Sequence, residues 1–208
     1  MAHEILSKLK WLGHAGFSIS ADDTTIVIDP YDIKDCDQAD IILISHSHYD
    51  HCSVEDINKI KKPSTVFVTE PESAKQLSGD VRLVKPDDKL TISGIPIEVV
   101  PAYNTNKDFH PKSKNWLGFI VTIGDKSIYH TGDTDLIPEM NTFSIDIVLL
   151  PVSGTYVMTA DEAVEAVKQL RPEIAIPMHY DSIVGSKEDA IKFQNALKGI
   201  CEVAILSK

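Results

Sequence analysis

Cysteine is scarce in this chain of 208 residues, which has three: Cys36, Cys52 and Cys201. An odd, scattered set is a poor disulfide framework and lacks zinc-knuckle spacing, so it fits a reducing compartment. Long hydrophobic runs are missing too. No stretch approaches the roughly eighteen apolar residues a membrane-spanning helix needs, and the start, MAHEILSKLKWLGHAGF, lacks the ordered basic, apolar and small-residue zones of an export signal. A cytoplasmic protein with no membrane span is therefore expected. Basic residues are in deficit, 20 Lys and Arg against 31 Asp and Glu, for a formal charge of −11. That surface repels phosphate backbones, which makes nucleic acid an improbable partner unless a local basic groove exists. Nothing in the composition decides for or against a homo-oligomer.

What is present is a globular composition, 43% hydrophobic and 25% charged, consistent with one domain over residues 1–208. Short strand-like runs recur: TTIVIDP, ADIILISH, STVFVTE, IPIEVVPA, WLGFIVTIG, KSIYHTGD, IDIVLLPV and EIAIPMHY. Between them lie helix starts. Ser53 with Asp56, and Thr159 with Glu162, are capping-box patterns ahead of amphipathic runs, and a third helix is predicted from Ser186 to Gly199. Three main helices are expected.

The two halves of the chain read alike. IVIDPYD, ADIILISH, a helix from Ser53 and STVFVTE are matched by SIYHTGDTD, IDIVLLPV, a helix from Thr159 and EIAIPMHY. Each half has an amphipathic helix to cover one sheet face, so the economical α/β packing is a four-layer αββα sandwich of two pseudo-repeated halves. Loops at the ends of equivalent strands then meet at one edge. That brings SHSHYDH, HTGDTD and MHYD together.

Three of the chain's 8 histidines fall within HSHYDH, residues 46–51, directly behind an apolar strand. In an extended segment alternate side chains point the same way, so His46 and His48 share a target, Asp50 continues the alternation, and His51 reaches from the turn into the next helix. Imidazole with carboxylate suits zinc first, then manganese, iron or cobalt. A solvated loop would not need this spacing.

HSHYDH matches the H-x-H-x-D-H signature of the metallo-β-lactamase-fold hydrolases, and the resemblance runs from WLGHAGF through HTGDTD to PMHY. The chain is similar to their small single-domain metal-dependent hydrolases, the ascorbate-phosphate lactonase-like and phospholipase D-like branches. The resemblance implies an αββα sandwich with two divalent ions at the sheet edges, Zn(2+) foremost and Mn(2+) or Fe(2+) next. His46 and His48 would hold the first ion, Asp50, His51 and His179 the second, and Asp133 would bridge them. One ligand does not carry over. A His follows the Pro-Ala pair in related branches, whereas here Tyr103 and Asn104 follow Pro101 and Ala102. His110, then His130 or Asn104, are the candidates to complete the first site, in that order because ligation prefers imidazole. His130 and His14 otherwise orient ligands from behind.

Two ions roughly 3.5–4 Å apart lower the pKa of a shared water and stabilise the oxyanion formed on attack. The implied reaction is hydrolysis of a small ester, lactone or phosphodiester by a metal-bound hydroxide, oriented by Asp50 or Asp133. Tyr103, Tyr156, Tyr180 and His130 are candidates to protonate the leaving group, although packing at a strand edge explains the tyrosines as well. Cys52 reads as packing. Lys107, Lys112 and Lys114 lie in the polar stretch NTNKDFHPKSKN, either a plain solvated loop or a flap for an anionic substrate. Secreted β-lactamases, the two-domain nucleases and the flavo-diiron oxidoreductases of this superfamily fit less well. A nuclease-type phosphodiesterase, and a non-catalytic module in which metal only fastens the edge, stand as alternatives.

Overall fold

A computed structural model describes residues 2–208. The first half runs α1 (Ala2–Leu6), β1 (Leu9–Gly13), β2 (Gly16–Ala21), β3 (Thr24–Ile28), β4 (Ala39–Leu43), α2 (Val54–Ile60), β5 (Lys61–Thr69), α3 (Pro71–Ala74) and β6 (Asp80–Leu83). The second runs β7 (Lys89–Ile92), β8 (Ile95–Pro101), β9 (Leu117–Ile123), β10 (Lys126–His130), β11 (Ile147–Pro151), α4 (Ala160–Leu170), β12 (Ile174–Met178), α5 (Lys187–Ala196) and β13 (Glu202–Val203). The strands form two sheets, ordered β1-β2-β3-β4-β5-β6 and β13-β12-β11-β10-β9-β8-β7.

The central strands are apolar on both faces because each face has its own partner. Ile41 and Leu43 of β4 enter the main core with Phe119 and Leu149 of the other sheet. Their neighbours Ile42 and Ile44 join Val27, Phe67 and the Ile57 and Ile60 side chains of α2 in a second cluster. A period-two strand thus feeds two cores. On the far side Ala163, Val164 and Val167 of α4 and Phe193 of α5 are buried against the second sheet. The layers are helix, sheet, sheet, helices, as the repeat implied.

The repeat itself is visible in the pairings. β3 pairs parallel with β4 and β4 with β5 around α2, as β10 does with β11 and β11 with β12 around α4. Thr159 closes the expected capping box with Glu162, and Ser53 caps α2 by accepting from the Asp56 amide. The last helix is shorter than predicted, ending at Ala196, with Ser186 and Asp189 forming its capping box.

An ion-pair network pins β10 to β11. Asp146 accepts from the Lys126 ammonium at 2.8 Å and from the Ser127 amide and hydroxyl at 2.8 and 2.9 Å, while Lys126 also reaches Glu173 at 2.6 Å. Burial alone would raise the Asp146 carboxyl, but the bonds from Lys126 and Ser127 outweigh it and hold it below the usual value. A depressed folded pKa stabilises the fold above the unfolded value near 4 and loses that contribution as pH falls below it. Asp146→Ala is expected to destabilise by about 1–3 kcal/mol at pH 7. In urea melts its gap to wild type should narrow below about pH 4.

Candidate metal centre

Both sheets present their site loops at one edge. β3 runs parallel to β4, and β10, β11 and β12 run parallel to one another, while β1 and β8, each two antiparallel steps away, end at the same side. Seven of the 8 histidines of the chain gather at it; His3 instead pairs with Glu202 at 3.2 Å. Ligands outside the carboxyl ends of parallel strands are the rule for α/β sheets.

HSHYDH leaves β4 as a turn rather than an extended segment. The amides of His51 and Cys52 donate to the His48 carbonyl at 3.0 and 2.8 Å. His46 and His48 still share a target, with Nε2 of one 2.9 Å from Nδ1 of the other. The turn carries Asp50 away from that pair. His46, His48 and His110 form one cluster whose ligating atoms lie within 4.8 Å of one another, and His14, Asp50, His51 and His179 form another. Asp133 sits between them. One of its oxygens is 3.2 Å from Nε2 of both His110 and His179, and the other is 3.3 Å from Nε2 of His51.

These approaches lack hydrogen-bond geometry. His51 Nε2, His110 Nε2, His179 Nε2 and Asp133 Oδ1 are buried without a hydrogen-bond partner although they face one another. Buried polar atoms are seldom left so. The remaining ring nitrogens are tied down: His51 Nδ1 lies 2.8 Å from Asp29, His179 Nδ1 3.1 Å from Ser153 Oγ, and His110 Nδ1 3.1 Å from the Asn104 side-chain oxygen. One nitrogen fixed from behind and the other free toward a common point is the arrangement of metal-ligating histidines. A divalent cation therefore fits this donor set.

Charge at the site follows from burial and neighbours. Burial pushes His46 well below and His48 and His14 below the usual imidazole value, leaving them neutral at pH 7. Burial acts the same way on His51, but the Asp133 and Asp29 carboxylates outweigh it and raise His51 well above. Burial would raise Asp133; the His179 and His51 imidazoles outweigh it and keep the carboxyl well below its ordinary range. Asp50 is held at about 2, its burial outweighed by the 3.0 Å bond from His14 and by His51.

The Beta-lactamase superfamily domain model matches residues 8–179. The chain belongs to the metallo-β-lactamase superfamily. Among its relatives is a metal-dependent hydrolase of Thermoplasma volcanium, 34% identical over 215 residues that cover 97% of this chain and 96% of the relative. Another is a metal-dependent hydrolase of Pyrococcus horikoshii, also 34% identical, with 96% of each covered. A solved structure from Parabacteroides distasonis superposes with a TM-score of 0.86 at 33% identity, covering 96% of this chain and 93% of the other.

Within this superfamily member, the expected contributors separate by what their atoms touch. His110 joins the first cluster. The Asn104 side chain is fully engaged with its neighbours: its carbonyl oxygen accepts from the His110 amide at 2.9 Å and lies 3.1 Å from Nδ1 of the ring, while its amide donates to Asp135 and the Tyr156 carbonyl. Both nitrogens of His130 are engaged, with the Ala15 carbonyl at 2.8 Å and the Gly132 amide at 3.2 Å, so it shapes the loop before Asp133 rather than gripping Asp133. His14, expected behind the ligands, falls in the group with Asp50, His51 and His179 whose ligating atoms lie within 4.8 Å of one another. Of the tyrosines, Tyr103 turns its hydroxyl to Glu139 at 2.8 Å and Lys112 at 3.1 Å. Tyr180 is buried and stacks on Trp11 at 5.0 Å, its hydroxyl pushed up to about 12 by burial. Of these three, Tyr156 lines the cleft above the clusters. Cys52 is buried, with a thiol that burial pushes up to about 12.

Asp29, Ser45, Ser153 and Asp135 were not foreseen. Asp29 is fully buried and accepts from the Ser45 amide at 2.7 Å and hydroxyl at 2.6 Å as well as facing His51. The repeat carried the signal, since Asp29 follows β3 where Thr131–Asp133 follow its counterpart β10. His14, Asp29 and His179 all adopt left-handed backbone, with φ of 51°, 46° and 59°. Such strain in non-glycine residues concentrates at functional sites.

Proposed function

We propose that this chain is a metal-dependent hydrolase that cleaves a small ester, lactone or phosphodiester at a dinuclear site. The observation that carries the reading is the convergence of four unpartnered buried atoms, from His51, His110, His179 and Asp133, beneath a cleft that His110 and Asp133 line. His46, His48 and His110 would hold one ion, and His14, Asp50, His51 and His179 the other, with Asp133 shared. Mixed imidazole and carboxylate favours zinc, with manganese or iron as alternatives. When bound, such ions lower the pKa of a coordinated water and offset the negative charge that develops on attack.

The chain's own residues do the rest. Asp50, held ionised by His14, and Asp133 are acceptors at pH 7 that orient a water and receive its proton. Tyr156, at the cleft wall, is placed to protonate a leaving group. Asn104 and Ser45 hold the His110 and His46 rings in their ligating orientation, which lowers the reorganisation needed at the moment of reaction.

A purely structural metal site would be closed. Here the cleft of about 310 Å³ opens over His48, Asp50 and Asp133. The nuclease alternative needs a cationic track, and the lysines of the 104–115 loop are each paired with a carboxylate: Lys107 with Asp135 at 2.7 Å, Lys112 with Glu139 and Lys114 with Glu72, both at 2.9 Å. Unpaired thiols at Cys36, Cys52 and Cys201 suit a reducing compartment. Among the described residues no helix is long and apolar enough to cross a membrane.

The test is metal content with turnover. Protein dialysed against chelator and titrated with Zn(2+), Mn(2+) or Fe(2+) should take up two ions per chain and recover hydrolysis of simple lactones or of bis(p-nitrophenyl) phosphate. Tight uptake with no turnover of any ester would leave only the structural module.

A further inference from the structure

We infer that the substrate is uncharged away from its reacting bond and carries an apolar acyl or aryl group, which packs against Tyr49, Phe109, Tyr156 and Ile183. This rests on the hydrolase reading and names its substrate class. The four side chains line the same cleft as His48, Asp50 and Asp133. They come from four separate loops: the turn after β4, the 104–115 loop, and the segments after β11 and β12. Convergence from four directions is not a by-product of one element's packing.

Exposure sharpens the point. Tyr49 is 66%, Phe109 52% and Ile183 37% exposed, three of the seven large exposed hydrophobics among the described residues, and all three rim this cleft. Leaving such surface in water is unfavourable, and apolar residues grouped at a pocket mouth mark where a ligand covers them. Phe109 is held edge-on to Tyr156 with ring centroids 4.6 Å apart, so the wall is organised without a ligand.

Charge points the same way. The cleft lining holds two carboxylates and no lysine or arginine. The loop lysines that could have received an anionic tail are bound to Asp135, Glu139 and Glu72. A charged substituent that extends past the ions to the rim would be desolvated with no counterion there, whereas an alkyl chain or ring would gain from leaving water.

Two arms test this on metal-loaded protein. In the first, kcat/KM is measured for γ-butyrolactone, for γ-nonalactone with its pentyl tail, and for bis(p-nitrophenyl) phosphate. Wild type should prefer the tailed lactone over the bare ring by about 10- to 100-fold, because several methylenes leave water. That ratio should fall toward one in Tyr49→Ser/Phe109→Ser, whose two sites are too exposed to threaten folding; a thermal melt checks this. Equal rates for both lactones overturn the inference while leaving the hydrolase reading intact. In the second arm, octanohydroxamate and acetohydroxamate binding is compared by calorimetry, which needs no turnover. Tighter binding of the octano compound, lost in the double variant, supports the apolar rim even if no ester is cleaved and the hydrolase reading fails; equal affinities overturn it.

Discussion

Asp133→Ala is expected to lower kcat/KM by on the order of 10³-fold or more and to reduce bound metal from two ions to one or fewer. Asp133 is the one carboxylate that reaches both histidine clusters, 3.2 Å from His110 and His179 and 3.3 Å from His51. Its removal leaves three imidazoles with nothing shared between them, and the surrounding site is too buried for water to take its place as a charge. Asp133→Asn separates shape from charge. It keeps the volume and a carbonyl oxygen but not the anion that offsets two cations, so its metal content should resemble that of the alanine variant. Metal analysis after gel filtration, alongside lactone turnover, makes the comparison. Wild-type metal content and rate in Asp133→Ala would remove the basis for a shared site.

Asp29→Ala should produce the second large effect, this time on the fold as much as on the metal. The variant strands the Ser45 amide, the Ser45 hydroxyl and His51 Nδ1, donors that Asp29 holds at 2.7, 2.6 and 2.8 Å in a fully buried pocket. Each unsatisfied buried donor costs about 1–3 kcal/mol, and with partial relaxation the total is about 3–5 kcal/mol. Losing the group that orients His51 weakens metal binding by roughly 10–100-fold. Asn is the informative control, because it tolerates the φ of 46° at this position whereas Ala adds backbone strain. Asp29→Asn should recover part of the stability, measured by urea melts of the metal-free protein, but not the affinity, measured by competition with a chromophoric chelator. An alanine variant as stable as wild type would show that the buried network is not what holds this edge.

Much of the architecture was readable locally. The eight apolar runs all became strands, most plainly β11 and β12, which are buried on both faces and so apolar throughout, and the Ser53, Thr159 and Ser186 caps fell at helix starts. The elements that escaped notice are the short helices α1 and α3, the strands β1 and β2, and the edge strands β6, β7 and β13. β6 reads DVRL with all four residues at least partly exposed, and β13 is a two-residue EV. Such segments are strands only because a neighbour offers its backbone, and no periodicity announces that. In the site, HSHYDH stood out because its donors are contiguous. The third imidazole of that cluster was legible only as the first of three candidates, since His110 and Asn104 belong to one loop, and which of them faces His46 depends on where Asp135 and the Tyr156 carbonyl grip it.

Residue types and their periods determined, without any coordinates, that two similar halves would stack sheet to sheet and that imidazoles and carboxylates would collect at one rim. Local pattern encodes which face of an element is apolar, and burial of those faces leaves few ways to assemble the layers. Tertiary structure alone decided that His14 joins the second cluster, that Asn104 hydrogen-bonds the His110 ring, that the loop lysines are neutralised and that the cleft wall is apolar. Those outcomes turn on contacts of about 3 Å between loops from different parts of the chain, a scale at which hydrogen bonding discriminates and sequence spacing does not.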